Sequence, residues 1–408
     1  MKKNNVIVVG GGPAGMIAAG TASMKEYNEV ILIEKNEKLG KKLYITGKGR
    51  CNFTNACEIE ELFDSTISNK SFLYSAFYSF SNYQTIQFFN DLGLEEKIER
   101  GNRVFPKSDK SSDVIKALEK YLKINDVNIK LKTTVKDVIV RNNKVYSIIL
   151  DNQTEIKCDK LIIATGGLSY PQTGSTGDGY KWAKKLGHSI INTNAALVPL
   201  VSSDDFVVDL QGLSLKNVEV SLIKDKKVVN SYFGEMIFTH FGVSGPAILS
   251  LSSMIKDNNK YQIKINLKPS LDFNMLDKRI LRDFEKYYNK DYKNALNDLL
   301  PKKMIPIIIS LSRIDESKKV NQITKEERHR LINIIHNLTL NIKSKRPISE
   351  AIITSGGINT KEINPATMES KLINGLFFAG EIIDVDALTG GYNLQISFST
   401  GYMSGNNC

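Results

Sequence analysis

A glycine-rich turn close to the start of the chain has the residue types and spacing to hold phosphate groups. Residues 10–15 are Gly-Gly-Gly-Pro-Ala-Gly and lie between the β-branched run 6–9 and a helical pattern. In a G-x-G-x-x-G turn, Gly10 permits the tight bend, Gly12 lets the backbone approach a pyrophosphate, and Gly15 lets helix and strand pack closely. The N–H groups of the helix N-terminus then face the phosphates. The predicted contacts are Gly10, Gly12, Pro13, Ala14 and Gly15.

A carboxylate follows the second strand of this unit. Glu34 ends the apolar run 30–33 and lies 19 residues after Gly15. An acid about 20 residues after the glycine turn binds ribose hydroxyls in dinucleotide sites. Strand, turn, helix, strand and acid therefore predict a dinucleotide-binding βαβ unit, without distinguishing flavin from nicotinamide.

Two later strand ends carry glycines as well. A strand is predicted at 158–164, with Lys-Leu-Ile-Ile-Ala at its centre, and an apolar run covers 376–379; glycines follow both, and acids follow the second. Ligands of open α/β sheets gather at the carboxyl ends of the strands, so both turns are predicted to reach the same cofactor. The residues concerned are Thr165, Gly166 and Gly167 after the first run, and Gly380, Glu381 and Asp384 after the second.

Two more segments suit the remainder of a long, phosphate-bearing cofactor. Residues 41–52 gather lysines and an arginine on a glycine-rich loop; an exposed basic loop is the alternative interpretation. Residues 390–393 place a glycine pair at the start of a helix, whose N–H groups can stabilise negative charge on a reduced flavin ring. The predicted contacts are Lys42, Gly47, Arg50, Cys51 and Asn52 in the loop, and Gly391, Tyr392 and Asn393 at the helix.

These turns need a parallel sheet, and the pattern of the chain predicts one that is interrupted by an insert. Continuous apolar runs flank the glycine turns, and a hairpin is predicted at 134–150. Strict alternation of apolar and polar residues begins near residue 195 and predicts antiparallel strands. Helical patterns follow, with a capping box of Thr324 and Glu327. We predict an α/β nucleotide domain of residues 1–190 and 346–408, with an inserted domain of residues 191–345 that is β-rich over 195–270 and helical over 272–340.

The composition bounds the class of protein. The 408 residues are 41% hydrophobic and 24% charged, as in a soluble folded protein, and the net charge of +11 favours anionic partners without choosing among them. Four cysteines form no disulfide framework in so long a chain, which predicts a cytoplasmic location. Glycines interrupt the N-terminal apolar run, so we predict neither a signal peptide nor a membrane span. His329 and His336 share a helical face without further ligands, and no metal site is predicted.

Several longer segments carry a resemblance to a known family. They are Gly47 to Asn55, Ser169 to Gly179, Phe238 to Pro246, Ile353 to Gly357, Thr367 to Lys371 and Gly380 to Gln395. In these segments the chain resembles glutathione-reductase-type FAD domains, and more closely the bacterial flavoproteins of the aminoacetone-oxidase-like and bile-acid-reductase-like type. The match extends over essentially the whole chain.

The resemblance implies a Rossmann-like FAD-binding domain with an insert that has a β-barrel-like part and a helical part. It implies FAD at the turns described above, and we add Lys35 and Val135 to the predicted contacts. The chain departs from the family in two places. Many relatives have glycine where this chain has Ala387, and relatives usually continue beyond Cys408, so we expect the final helical turns to be frayed or absent.

The residues of catalysis are less well marked. His240, in the glycine-rich segment 238–246, is a candidate general acid or substrate ligand, and a structural histidine is the alternative. Tyr392 is a candidate for stacking near the flavin ring, with packing as the alternative. Cys51 and Cys57 are five residues apart in a loop, which disfavours a redox pair and favours a structural role for Cys51.

The resulting hypothesis is an FAD-dependent oxidoreductase that exchanges a hydride with a small organic substrate. Reduction of an activated C=C bond comes first, as the family resemblance implies. NAD(P)H is expected as a transient donor, because no second G-x-G-x-x-G unit for stable nicotinamide binding is present. Amine oxidation with dioxygen is the next alternative. A flavin-dependent RNA-modifying enzyme is a rival that the net charge motivates, although nucleic acid is disfavoured, and a non-catalytic redox sensor is a third. The substrate and the oligomeric state stay open.

Overall fold

The computed structural model describes residues 3–256 and 260–408. The chain divides into two compact units: unit 1 comprises Met1–Ala196 and Ile348–Cys408, and unit 2 comprises Leu197–Pro347. The boundaries predicted from the sequence lie at residues 190 and 346. No helix in the described ranges is long and apolar enough to cross a bilayer.

The first segment of unit 1 contains most of its strands and helices. In chain order they are β1 Asn4–Val9, α1 Pro13–Ser23, β2 Asn28–Ile33, α2 Lys41–Ile45, β3 Thr54–Asn55, α3 Ile59–Asp64, β4 Thr66–Ser68, α4 Tyr74–Ser79, α5 Asn82–Asp91, β5 Glu96–Glu99, β6 Arg103–Pro106, α6 Ser111–Ile124, β7 Asn128–Lys130, β8 Val135–Arg141, β9 Lys144–Leu150, β10 Glu155–Lys157, β11 Lys160–Ile163, α7 Asp178–Lys185 and β12 Ile190–Ala196.

Unit 2 and the second segment of unit 1 complete the chain. Unit 2 contains β13 Leu200–Ser202, β14 Ser214–Lys224, β15 Lys227–Thr239, β16 Gly242–Ser244, α8 Pro246–Ser252, β17 Tyr261–Asn266, α9 Phe273–Lys286, α10 Tyr292–Ala295, α11 Ile305–Ser312, α12 Lys325–His336 and β18 Leu338–Lys345. Unit 1 then resumes with β19 Ile353–Ile358, β20 Leu376–Phe378, β21 Asp386–Ala387 and α13 Tyr392–Asn407.

A five-stranded parallel sheet organises unit 1. Its strand order is β20-β11-β1-β2-β7, and every neighbouring pair is parallel. The side chains of residues 6–8 in β1 have no exposed surface, as expected of a strand covered on both faces. Because β1, β11 and β20 are parallel neighbours, their carboxyl ends lie at one edge of the sheet. The predicted α/β Rossmann-like class is confirmed.

Helices α1 and α13 pack against each other with their backbones in contact. A Cβ atom on Gly401 would lie 2.4 Å from the carbonyl oxygen of Ala14, and one on Gly405 would lie 2.4 Å from that of Ala18. Larger residues at these two glycines would separate the helices. The expectation that the last turns are frayed is wrong: α13 continues to Asn407, and Cys408 is buried, because this glycine-lined face rests on α1.

The hairpin predicted at 134–150 is confirmed by the antiparallel pairing of β8 and β9. Its turn residues Asn142 and Asn143 have φ of 51° and 54°. Two consecutive left-handed residues are typical of a type I′ turn, which matches the twist of the flanking strands.

Unit 2 contains a closed six-stranded barrel in the order β13-β16-β15-β14-β17-β18, which confirms the β-barrel-like part of the insert. The predicted helical part ends at His336 rather than at residue 340, because β18 follows at once and closes the barrel between β17 and β13. Leu338 and Leu340 of β18 are buried while Thr339 between them is exposed. Because this alternation is short and follows the helical pattern directly, the sequence did not reveal where the helix ends and the strand begins.

Candidate cofactor site

The three glycines of the first turn meet different surroundings. Gly10 has φ of +110°, and a Cβ atom there would lie 2.4 Å from the carbonyl oxygen of Ala164 at the end of β11. A Cβ on Gly15 would lie 1.9 Å from the carbonyl oxygen of Gly10. A Cβ on Gly12 would meet no atom within 4 Å, and its φ is −81°. Gly10 and Gly15 are therefore required by the fold itself, whereas Gly12 borders open space.

The N-terminus of α1 is available to an anion. Pro13 and Ala14 form its first turn, which contains no acidic residue and no side-chain cap. The N–H groups of a first helical turn have no partner within the helix. Together with the open space at Gly12, they can hold a pyrophosphate.

Glu34 is tied to this turn. One carboxylate oxygen accepts a hydrogen bond from the Gly11 N–H at 2.7 Å, and the other accepts from the backbone and side-chain amides of Asn36 at 2.8 Å and 2.6 Å. The oxygen bonded to Gly11 can accept one further hydrogen bond, whereas the oxygen bonded twice to Asn36 has both lone pairs in use. Val135, at the start of β8, is buried, and the Thr133 N–H in the same segment donates to the Glu34 carbonyl oxygen at 3.0 Å.

Lys35 is occupied by protein partners. Its ammonium group lies 2.6 Å from Thr176 Oγ1 and 2.9 Å from an Asp178 carboxylate oxygen. Burial raises the pKa of Asp178, but hydrogen bonds from Thr176, Lys35 and Lys181 lower it to about 2. Lys35 thus anchors the loop before α7, and its predicted contact with the cofactor stays a prediction.

The loop after α2 contains three consecutive left-handed residues, Gly47 to Gly49. Arg50, next in the chain, pairs with Glu99 and with Asp109, and its guanidinium stacks over Phe105 at 4.2 Å. The positive charge of Arg50 is therefore balanced within the protein, and the arginine holds the loop in place.

Two residues that follow Arg50 face the interior. Cys51 is fully buried, and burial raises the pKa of its thiol to about 12. The Oδ1 atom of Asn52 is buried and has no hydrogen-bond partner in the described part of the chain. Because buried polar atoms are nearly always satisfied, this oxygen indicates a donor supplied by a bound group.

Turns after β11 and β20 meet at a polar cluster. Lys42 Nζ lies 2.5 Å from Glu381 Oε2 and 2.6 Å from Ser169 Oγ. Glu381 Oε1 accepts from Ser169 Oγ and from the Thr354 N–H, each at 2.8 Å. Burial raises the pKa of Glu381, but the Lys42 charge and the hydrogen bonds outweigh it and lower the pKa. The carboxylate therefore stays ionised.

The glycines of these two turns allow the turns to pack closely against β19 and α1. A Cβ on Gly167 would lie 2.3 Å from Thr354 Oγ1, and one on Gly380 would lie 2.8 Å from the Cβ of Ala14 in α1. Gly166 has φ of +71°, which favours glycine. The Oγ1 atom of Thr165 is a second buried atom without a partner among the described residues.

The N-terminus of α13 is the last of the predicted cofactor-binding segments. Gly391 has φ of +100°, and a Cβ there would lie 2.3 Å from the Thr54 carbonyl oxygen. The Asn393 side chain hydrogen-bonds both backbone groups of Ala387 at 2.9 Å and 2.8 Å. Ala387, where many relatives have glycine, is accommodated as a buried residue of β21. The first turn of α13 contains no acidic residue.

Three further candidates lie at different places. Tyr392 is buried, its hydroxyl is 3.2 Å from Glu61, and burial raises its pKa to about 12; this environment favours packing over acid catalysis. Asp384 accepts a hydrogen bond from Asn69 at 2.9 Å. His240 belongs to unit 2, between β15 and β16, where it is exposed and its ring packs edge-on against Phe241 at 4.9 Å.

These observations fit an FAD molecule at the carboxyl edge of the sheet. The fit rests on the open space at Gly12, two helix N-termini free of acids, and the unpaired oxygens of Asn52 and Thr165. Sequence reasoning missed Ser169 and Thr354. Both lie in segments that carried the family resemblance, but their roles depend on partners far away in the chain.

Comparison with known proteins gives a match along the whole chain. The model of the HI0933-like protein Rossmann domain matches residues 4–407. The chain is 29% identical over 407 residues to a 3-dehydro-bile acid delta(4,6)-reductase of Clostridium scindens, with 98% of each chain covered. It is 30% identical over 400 residues to a ribosomal RNA dihydrouridine synthase of Haemophilus influenzae, covering 97% of this chain and 96% of the relative.

Solved structures agree on the fold. The 3-ketosteroid delta1-dehydrogenase of Sterolibacterium denitrificans superposes with a TM-score of 0.52 at 12% identity, covering 100% of this chain and 99% of the other. The quinol fumarate reductase subunit FrdA of E. coli gives a TM-score of 0.51 at 14% identity, covering 100% and 70%. At such identities the likeness concerns the fold alone.

Proposed function

The chain belongs to the HI0933-like family of Rossmann-domain proteins, and from that premise we propose that it reduces a carbon–carbon double bond conjugated to a carbonyl group. The chain is a flavoprotein oxidoreductase with an FAD-binding Rossmann fold. NAD(P)H as the electron donor and a small organic molecule as the substrate are part of the proposal.

One observation carries the choice of reaction. Two relatives that match nearly the full length of the chain have names that describe different substrates but the same change, the addition of two hydrogens to a C=C bond. A reaction shared across such divergent substrates is a property of the cofactor and its surroundings rather than of the substrate pocket.

The residues of unit 1 have separate tasks in this proposal. When bound, FAD supplies the two electrons as a hydride, and a proton completes the reduction of the double bond. The turn at Gly12 and the N-terminus of α1 hold the pyrophosphate, and Glu34 binds the ribose. The Lys42–Glu381 pair lies at the strand ends, where the more distant part of the cofactor is expected.

The first experiment tests the cofactor and the donor together. The purified protein is loaded with FAD and mixed anaerobically with NADH and then with NADPH, while the visible flavin bands are recorded. We expect the bands to bleach with at least one donor. Gly12→Ala, designed to keep the fold but block the pyrophosphate, serves as the matched control and is expected to bind FAD about tenfold or more weakly than the wild type.

Other results would redirect the proposal. Bands that persist with both nicotinamides but bleach with an amine would replace the reductase by an oxidase. A protein that takes up no FAD would overturn the proposal at its base.

A second candidate substrate is a uridine in RNA. Its support is the relative from Haemophilus influenzae and the charge of residues 197–347, which contain 25 Lys and Arg against 17 Asp and Glu. A basic surface attracts the phosphate backbone irrespective of sequence.

The two substrates are separated by one assay. The reduced protein is given either a steroid with a dienone system or unmodified ribosomal RNA. Loss of dienone absorbance would support the small-molecule reductase, and dihydrouridine in the digested RNA would support the second candidate. Activity on neither would contradict both assignments.

A further inference from the structure

The polar cluster around Glu381 contains two residues to which no role has been assigned. We propose that Ser169 and Thr354 are positioning residues that fix the direction of the Lys42 ammonium group at the cofactor site, so that this cation favours the reduced form of the flavin. The inference rests on the proposed function only in that it requires bound FAD.

The hydrogen bonds of Lys42 determine its direction. An ammonium group has three N–H donors, and two of them are used at 2.6 Å by Ser169 Oγ and at 2.5 Å by Glu381 Oε2. No third acceptor within the described residues is hydrogen-bonded to Lys42. Two fixed donors leave the third a single direction, and we assign that donor to the bound cofactor.

Ser169 holds both members of the ion pair. Its hydroxyl accepts from Lys42 and donates to Glu381 Oε1 at 2.8 Å. Removing this oxygen would leave Lys42 attached through one bond, about which the ammonium group can turn. Ser169 itself is fully buried.

Thr354 holds the loop that carries Ser169. Its Oγ1 accepts hydrogen bonds from the N–H groups of Leu168 at 2.8 Å and of Ser169 at 3.1 Å, while its own N–H donates to Glu381 at 2.8 Å. One threonine of β19 therefore fixes the carboxylate and the serine relative to each other. The absence of a side chain on Gly167 provides the space for this contact.

The arrangement has an electrostatic consequence. A lysine and a glutamate in contact have no net charge, so the potential they exert depends on which member faces the cofactor. A preorganised donor that faces developing negative charge stabilises it, because no reorganisation is needed during the reaction. Reduced flavin is richer in electrons than the oxidised form, so a cation held toward it raises the reduction potential.

The test compares holoproteins. Thr354→Val has the shape of threonine without the hydroxyl, Thr354→Ser restores the hydroxyl, and Ser169→Ala removes the link to Lys42. Thr85→Val is the matched control, since Thr85 is a fully buried threonine of α5 outside the hydrogen bonds that join Lys42, Ser169 and Glu381. The midpoint potential of bound FAD is measured by equilibration with a reference dye, and unfolding is followed in parallel.

We expect Thr354→Val and Ser169→Ala to lose about tenfold in the preference for reduced over oxidised FAD, a shift of about 30 mV to more negative potential. Thr354→Ser and Thr85→Val should match the wild type. A loss of stability without a change in potential would overturn the inference and leave Thr354 a structural residue. Potentials unchanged in Ser169→Ala would overturn it as well. Binding of FAD by the wild type is measured before any variant is compared. Failure of the wild type to bind FAD would overturn the proposed function instead.

Discussion

At the scale of single residues, substitutions at two glycines of the first turn are predicted to have different effects, one on FAD binding and the other on the stability of the fold. Gly12→Ala introduces a methyl group into open space at an ordinary φ. We expect it to change the free energy of unfolding of the apoprotein by less than about 1 kcal/mol, and to weaken FAD binding by about tenfold or more, since the methyl group occupies the place of the pyrophosphate.

Gly15→Ala is the informative partner of that variant. Its methyl group would lie 1.9 Å from the Gly10 carbonyl oxygen, so α1 must move away from β1. We expect the apoprotein itself to lose roughly 1–3 kcal/mol of stability. Urea titration of both apoproteins, with FAD titration by fluorescence, separates the effects; equal destabilisation by both variants would contradict the assignment of Gly12.

Asp178 provides a prediction in pH. Its pKa is lowered from 3.8 to about 2, so its contacts stabilise the folded state above pH 4 and are lost as the pH falls toward 2. The side chain is 30% exposed, and screening reduces the contribution to about 1 kcal/mol. Asp178→Asn should cost that amount at pH 7, and the difference from the wild type should shrink between pH 4 and pH 2.

The control for Asp178 is a carboxylate with a distant partner. Asp64 lies 3.7 Å from Lys70, and its side chain is 77% exposed. Asp64→Asn should therefore leave the free energy of unfolding nearly unchanged. If the two variants gave the same pH profile, the hydrogen bonds of Asp178 would not be the source of the effect.

At the scale of elements, the capping box of α12 was predicted from sequence and is confirmed. Thr324 accepts a hydrogen bond from the Glu327 N–H at 3.2 Å, and the Glu327 carboxylate accepts from the Thr324 N–H at 2.8 Å. Thr324→Ala should lower the free energy of unfolding by about 1 kcal/mol. Thr324→Ser should recover most of it, as measured by chemical denaturation; an alanine variant as stable as the serine variant would contradict the role of the cap.

Also at this scale, α1 and α13 show how the cofactor site depends on helix packing. Gly380 contacts Ala14, and Gly401 lies against the carbonyl oxygen of the same residue. The N-terminus of α1, which we propose to hold the phosphates, is therefore held from two sides by the last segment of the chain. Small residues at these contacts are required because the backbones touch.

At the scale of the whole molecule, the four cysteines are predicted to be chemically silent. All four are buried, and burial raises the thiol pKa to about 12 for Cys51, Cys57 and Cys158 and to about 11 for Cys408. The reactive thiolate is therefore scarce at pH 8.

A thiol reagent measures this directly. The folded protein should react with less than one equivalent of a chromogenic disulfide at pH 8, and the protein in guanidinium chloride with four. Rapid reaction of one or two thiols in the folded protein would restore a redox role for Cys51 and Cys57. Addition of a disulfide-specific thiol reductant should leave the flavin spectrum unchanged.

Much of the fold was predictable because its signals are local. The G-x-G-x-x-G turn, the acid after the second strand, the Asn142-Asn143 hairpin and the capping box each depend on residues within about 25 positions of one another. Backbone conformation, period and spacing are properties of such short stretches, and they are visible in the sequence without knowledge of the fold.

The remainder was decided by tertiary structure. The sequence by itself determined a Rossmann-like domain with a glycine turn suited to a cofactor. It did not determine that Arg50 forms ion pairs with Glu99 and Asp109, or that Lys35 forms one with Asp178. Nor did it place Lys42, Ser169 and Glu381 in one cluster, since 127 and 339 positions separate Lys42 from its two partners. The strand order β20-β11-β1 brings those turns to one edge. A charged side chain takes the nearest opposite charge, and only the assembled sheet decides which charge is nearest.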